Sequence, residues 1–183
     1  TVAGIAILVL GAVSIAAGVL YTGGPKPYGY EGLGEVFVFV FFGLVAVNGS
    51  YYVQLEDLQA LPVLLSIPIG LLSAAILVVN NVRDIDTDRR AGKRTLAVRM
   101  GRERSRSLYV AMIALAYVLL PIALIGGDGS AWGLLGLLSL PLAAAPVRAV
   151  RERTDGPALN GALAGTGALL GAYALLVAVG LLI

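Results

Sequence analysis

The segment Asn80-Asn81-Val82-Arg83-Asp84-Ile85-Asp86-Thr87-Asp88-Arg89-Arg90-Ala91-Gly92-Lys93-Arg94-Thr95 stays basic through Arg106 and lies between two long apolar runs. The run before it, Leu61 to Val79, has the length and composition of a helix, and nothing breaks the pattern until Gly92. Continued helix puts Asn81, Asp84 and Asp88 on one face, with Asn80 beside them, because residues three and four apart are neighbours. Asp86 faces the opposite way. Two carboxylates one turn apart, with amides a turn below, make an oxygen-rich face at the end of an apolar helix.

The composition says what surrounds this helix. Of 183 residues, 58% are hydrophobic and only 13% charged, and the mean hydropathy is +0.90. Soluble domains are not this apolar. Only helices and closed barrels satisfy their backbone in lipid, and these runs are continuous rather than alternating, so helices are predicted. The chain reads as an all-α polytopic membrane protein, one transmembrane domain over residues 1–183, with the lipid bilayer as its surroundings. Six spans of roughly 20 residues are expected, near residues 2–21, 35–53, 61–79, 107–125, 131–149 and 159–183. The sequence contains no cysteine and no histidine. Cysteine usage therefore carries no reading of disulfides or redox compartment, and the commonest general base and the usual zinc ligand are removed. No nucleic-acid partner is expected.

Charge sorts the loops. All 13 basic residues fall between spans one and two (Lys26), three and four (Arg83 to Arg106), or five and six (Arg148, Arg151, Arg153). The other loops carry only Glu56, Asp57 and Asp128. The positive-inside rule puts the Asn80–Arg106 segment on the cytoplasmic side of a cell membrane. The loop with Gly23, Gly24, Pro25, Lys26 and Pro27 lies on that same side and reads as an ordered turn.

Carboxylates with amide oxygens suit a hard cation, and magnesium commonly binds through one or two carboxylates plus substrate phosphates. Arg83, Arg89, Arg90, Lys93 and Arg94 surround the acidic face and suit a diphosphate bound with the metal. Lys26 could reach the same ligand, and Tyr21, Tyr28 or Tyr30 could line the mouth of the pocket. The plainer alternative for the tyrosines is an interfacial aromatic belt. In the second span, Asn48 is the polar residue best suited to a pocket, since polar groups at membrane depth face a cavity or another helix. Gly161, Gly165, Gly167 and Gly171 form two small-xxx-small pairs, read as helix packing. Asn160 reads as a helix cap.

The string Asn80-Asn81-x-Arg83-Asp84-x-x-x-Asp88, followed by Gly92-Lys93-Arg94-Thr95-Leu96-Ala97-Val98-Arg99-x-Gly101, resembles the second aspartate-rich motif of the UbiA superfamily of intramembrane prenyltransferases. Its details are most similar to the branch acting on 1,4-dihydroxy-2-naphthoate in menaquinone synthesis. The resemblance implies, by analogy of fold, about nine helices around a central cavity. It also implies magnesium, an isoprenyl diphosphate donor and an aromatic acceptor. By position, Asp84 and Asp88 would hold magnesium, with Lys26 as a further catalytic residue. Asn80, Asn81, Arg83, Lys93 and Arg94 would support the metal or the diphosphate. The family's first aspartate-rich motif is not found here. It is expected, with further helices, ahead of Thr1, making this chain a carboxy-terminal two-thirds. Another acceptor, such as 4-hydroxybenzoate or homogentisate, stays open. So does a transporter half, since Asp88-Arg89-Arg90-Ala91-Gly92-Lys93-Arg94 is similar to a major-facilitator loop with its glycine one residue late.

Overall fold

The computed structural model describes residues 4–24 and 27–183 of the chain. Lys26 therefore lies outside the described residues. Every regular element among them is helical. α1 spans Gly4–Thr22, and a single tight turn follows at Tyr28–Glu31. α2 (Gly34–Val38), a wide-wound stretch (Phe39–Val45) and α3 (Ala46–Leu55) form one continuous span. α4 covers Ala60–Arg90, α5 Leu96–Met100 and α6 Arg102–Gly126. A tightly wound stretch, Ala131–Ala143, runs into α7 (Ala144–Glu152), and α8 covers Gly156–Leu181. Five helices are long and apolar enough to cross a membrane, and α1 adds a shorter apolar one. This agrees with the polytopic helical class read from composition.

α4 is the axis of the fold. Its 31 residues are about 46 Å long at 1.5 Å per residue, against a hydrocarbon core of about 30 Å. It is therefore about 16 Å, three turns, longer than an apolar slab needs, and its charged residues all lie in its last three turns, Asn80 to Arg90. The buried middle includes Leu72, Ala74, Ala75, Val78, Val79 and Val82. On α6, Tyr109, Ile113, Ala116, Leu120 and Ala123 recur at helical spacing and meet α4 and α8 in the core. Two buried hydroxyl pairs cross-link this core: Tyr109 with Thr166 at 2.7 Å, and Tyr117 with Ser139 at 2.6 Å.

The span at residues 131–152 departs from the expected α-helix. Over Ala131–Ala143 it closes i→i+3 turns, and the sequence shows why. Gly133, Gly136 and Ser139 are buried and recur every third residue, the period at which side chains eclipse in a three-residue turn. The resulting file of small residues faces α6 and α8: a Cβ on Gly133 would meet Leu124, one on Gly136 would meet Leu120 and Val177, and Ser139 bonds Tyr117. A Cβ on Gly180 of α8 would sit 2.0 Å from the Trp132 carbonyl oxygen. By contrast, among the described residues a Cβ on Gly161, Gly167 or Gly171 would meet nothing within 4 Å, and one on Gly165 would meet Pro146 at 3.5 Å. Among the described residues, three of these four glycines meet no partner helix. Close helix approach uses Gly180, where a partner backbone is present.

Hydrogen bonds draw the loops around the end of α4 together. Arg94 N–H donates to the Tyr30 carbonyl at 2.8 Å, and Arg99 pairs with Glu31 at 2.8 Å. Arg106 donates to the Arg153 carbonyl at 2.7 Å. The three loops that hold the basic residues thus gather at one end of the bundle.

Candidate active site

The final turns of α4 set out the side chains as helical periodicity demands. Asn80, Asn81, Asp84 and Asp88 line one cavity of about 190 Å³, with Tyr21, Thr22, Gly29, Tyr30, Lys93 and Thr95 completing its wall. Asp86 points away, as expected, to Arg102 at 2.9 Å on α6. The turn after α4 is short because Gly92 adopts a left-handed φ of +75°. Lys93 N–H then donates back to the Asp88 carbonyl at 2.9 Å. That geometry swings the Lys93 ammonium to 3.3 Å from Asp88 Oδ1 and 4.8 Å above the Tyr30 ring.

Arg83 binds both oxygens of Asp84 at 2.7 Å. It also donates to Asn80 Oδ1 at 2.8 Å and to Asn160 Oδ1 at 2.6 Å. Asn160 is therefore a partner of the acidic site rather than the cap of α8. The cap is Asp155, which accepts from the Ala158 N–H at 3.0 Å. Charge balance in the cavity is local, with one cation on each carboxylate. Asp88 is the more enclosed of the two, at 11% side-chain exposure against 32% for Asp84.

Tyr21 belongs to two cavities at once. Beyond it lies an apolar groove of about 670 Å³ between α1 and the second span, lined by Ala17, Gly18, Tyr28, Phe37, Phe41 and their neighbours. Tyr28 stacks on Phe37 with ring centroids 3.8 Å apart, and its hydroxyl donates to the Ala17 carbonyl. A further groove of about 440 Å³ shares Ser14, Val45 and Ala46 with the first and continues toward Gln54. The polar cavity and the apolar groove thus share one tyrosine.

The residues singled out from the sequence fall into groups. Asp84, Asp88, Asn80, Asn81, Lys93 and Tyr21 line the polar cavity, with Arg83 on its edge. Tyr28 lies in the apolar groove. Arg94 is exposed, and its backbone holds the Tyr30 turn. Asn48 lines none of these three cavities. Its amide donates to the Leu44 carbonyl at 2.8 Å, and its Oδ1 is buried without a partner among the described residues. Sequence reasoning missed Glu35, 4% exposed, which accepts from Asn81 Nδ2 at 2.9 Å. The signal available was a lone acid at the start of an apolar span.

The donor set fits a hard divalent cation. The carboxylates of Asp84 and Asp88 and the Asn80 amide oxygen share one cavity, and all are hard oxygens of the type magnesium prefers. An arginine and a lysine now pair with the two carboxylates.

Comparison with known proteins identifies the family. Residues 1–160 match the UbiA prenyltransferase family. A 1,4-dihydroxy-2-naphthoate octaprenyltransferase of Mycobacterium leprae (strain TN) is 44% identical over 175 residues, which is 91% of this chain and 58% of that protein. The enzyme of the same name from Mycobacterium tuberculosis (strain ATCC 25618 / H37Rv) is 47% identical over 148 residues, 79% of this chain and 50% of that protein. UbiA prenyltransferase domain-containing protein 1 of Ailuropoda melanoleuca is 36% identical over 135 residues, 74% of this chain and 39% of that protein. The chain spans about half the length of these relatives. With an oxygen-rich cavity at the end of α4, an apolar groove beside it and a match over most of its length, the chain belongs to the UbiA prenyltransferase family.

Proposed function

We propose that this chain forms the diphosphate-binding part of an intramembrane enzyme that moves a polyprenyl group from an isoprenyl diphosphate to 1,4-dihydroxy-2-naphthoate. The observation that carries the reading is the shared wall at Tyr21. An acidic and basic cavity joins an apolar groove there, which is the shape of a charged head with a long hydrocarbon tail.

Asp84 and Asp88 hold magnesium in this reading, with Asn80 and Asn81 beside them. Bound magnesium supplies neutralisation of the charge that grows on the departing diphosphate. Arg83 and Lys93 bind the diphosphate oxygens that remain, and preorganised cations of this kind favour the more charged transition state; Arg94, exposed beside the cavity, is assigned to the diphosphate on the family resemblance alone. Lys26 is assigned to the diphosphate on the family resemblance alone. Tyr21 lies at the junction of head and tail, and Tyr28, Phe37 and Phe41 exclude water from the allylic carbon as it gains positive charge.

The bond changes balance without an added reagent. The allylic carbon–oxygen bond breaks and its electron pair leaves with the diphosphate. The ring carbon that bears the carboxylate attacks the allylic carbon. The carboxylate carbon then leaves as carbon dioxide, and its bonding pair returns to the ring. The positive-inside pattern supports a site that opens on the cytoplasmic face.

The test uses the full-length protein in membranes, a prenyl diphosphate and 1,4-dihydroxy-2-naphthoate labelled in its carboxyl carbon. Magnesium-dependent release of labelled carbon dioxide, equal to the prenylated ring formed, is expected. Prenylation of 4-hydroxybenzoate or homogentisate with none of the naphthoate would move the reading to another acceptor. No diphosphate release with any acceptor would sink it.

A further inference from the structure

Glu35 opens the second span and is almost fully enclosed, at 4% exposure. A carboxyl group buried at the end of a membrane helix is costly unless something is gained from it. Among the described residues only one of its oxygens has a partner: Oε1 accepts from Asn81 Nδ2 at 2.9 Å, while Oε2 is buried without one. The contact joins residues 46 apart in the chain. Tyr21 packs against the same end of α2, its hydroxyl 3.2 Å from where a Cβ on Gly34 would sit.

Asn81 lines the polar cavity and Glu35 does not. The amide nitrogen of Asn81 faces Glu35, so the opposite end of that planar amide, Oδ1, is turned from Glu35. An asparagine held by its nitrogen presents an oxygen; one left free presents either end. We infer that Glu35 is a positioning residue, which locks the Asn81 amide so that its oxygen faces the cavity shared with Asp84 and Asp88. The inference rests on the reading of those two aspartates as cation ligands. The same arrangement recurs wherever a ligand's orientation is fixed by a hydrogen bond from behind, and loss of such a partner commonly weakens metal affinity by about 10- to 100-fold.

A purely mechanical clamp between α2 and α4 predicts something different. It would matter for stability and not for the cation. The two are separated by titrating Mn2+ into the full-length protein in detergent, reading free Mn2+ by electron paramagnetic resonance and unfolding temperature in parallel. Glu35→Leu keeps volume and removes the acceptor, and should weaken Mn2+ binding at least about tenfold. Asn81→Ala should do the same, and the double variant should be no weaker than either single one, because both remove one interaction. Glu35→Gln retains an oxygen for Asn81 Nδ2 and should bind Mn2+ near the wild-type affinity.

Wild-type affinity in Glu35→Leu, or effects of Glu35→Leu and Asn81→Ala that add, would overturn the inference. So would a fall in Glu35→Gln equal to that in Glu35→Leu. If Glu35→Leu does not accumulate, Glu35→Asp carries the test, because its carboxyl group is drawn back by a methylene and should also weaken binding. Asp84→Asn and Asp88→Asn separate the two levels of the argument. If these lose Mn2+ and Glu35→Leu does not, only the role of Glu35 fails. If these keep Mn2+, the reading of the site itself fails.

Discussion

Arg83 holds both carboxylate oxygens of Asp84, its immediate neighbour in sequence, at 2.7 Å each. Adjacent positions on a helix do not face each other, so the arginine must curl around α4 to do this. It reaches Asn160 on α8 in the same pose. The guanidinium therefore covers the oxygens that a cation would need, and it must release them for a metal to bind there.

That geometry gives Arg83→Ala a split phenotype. Mn2+ alone should bind the full-length variant at least as tightly as wild type, since a competitor for Asp84 is gone. Inorganic pyrophosphate added with Mn2+ should bind more weakly, by about 10-fold or more, the loss expected for a charge-assisted hydrogen bond of about 1.5–3 kcal/mol. Isothermal titration of the two ligands checks both arms. A parallel weakening of Mn2+ alone would count against the competition.

The apolar groove should set a limit on tail length. Ala46 lines both parts of it, and Ala46→Trp would block the passage between them. Turnover with long polyprenyl donors is expected to fall much further than turnover with geranyl diphosphate. Equal loss across donor lengths would mean that the tail lies elsewhere.

Thr166 donates to the Ala162 carbonyl at 2.7 Å, so the Tyr109 hydroxyl must be the donor in the bond between them. Thr166→Val leaves that buried donor without an acceptor. A cost of about 1 kcal/mol is expected, in line with interhelical hydrogen bonds in membranes. Tyr109→Phe added to Thr166→Val should cost nothing further, which a double-mutant cycle from unfolding in mixed detergent checks.

Asp155 gives a pH dependence. Its carboxyl group is held below the usual range, first by the Arg153 side chain and then by the Ala158 N–H at the start of α8. A depressed folded-state value stabilises above the unfolded-state value and is lost as pH falls through the folded one. Asp155→Asn keeps the cap and removes the charge. It should unfold at a lower temperature than wild type at pH 7, and the gap should close as pH drops through about 4 and below. A gap that widens in acid would reverse the assigned sign.

Much of the site could be read locally. Asn80, Asn81, Asp84 and Asp88 share a face because a helix repeats every 3.6 residues, and Asp86 turns away for the same reason. What the sequence hid depends on distant partners. Glu35 meets Asn81 across 46 residues, and Arg83 meets Asn160 across 77. Gly161 and Gly180 look equally fit for close packing, yet only Gly180 has a backbone against it. The three-residue period of Gly133, Gly136 and Ser139 was present in the sequence, but two repeats of three cannot outweigh the apolar length that predicts an ordinary span. Tyr21, Tyr28 and Tyr30 look alike in the loop; stacking on Phe37 takes Tyr28 into the groove, away from the charged residues.

The measurement that bears most directly on the account is turnover of Asp84→Asn and Asp88→Asn in the full-length protein at limiting magnesium, with prenyl diphosphate and 1,4-dihydroxy-2-naphthoate supplied. Each variant should lose at least about 100-fold in rate, the scale seen when one preorganised electrostatic partner is removed, and added magnesium should recover part of it. Near-normal turnover in either variant under those conditions would contradict the assignment of this acidic pair to the metal–diphosphate.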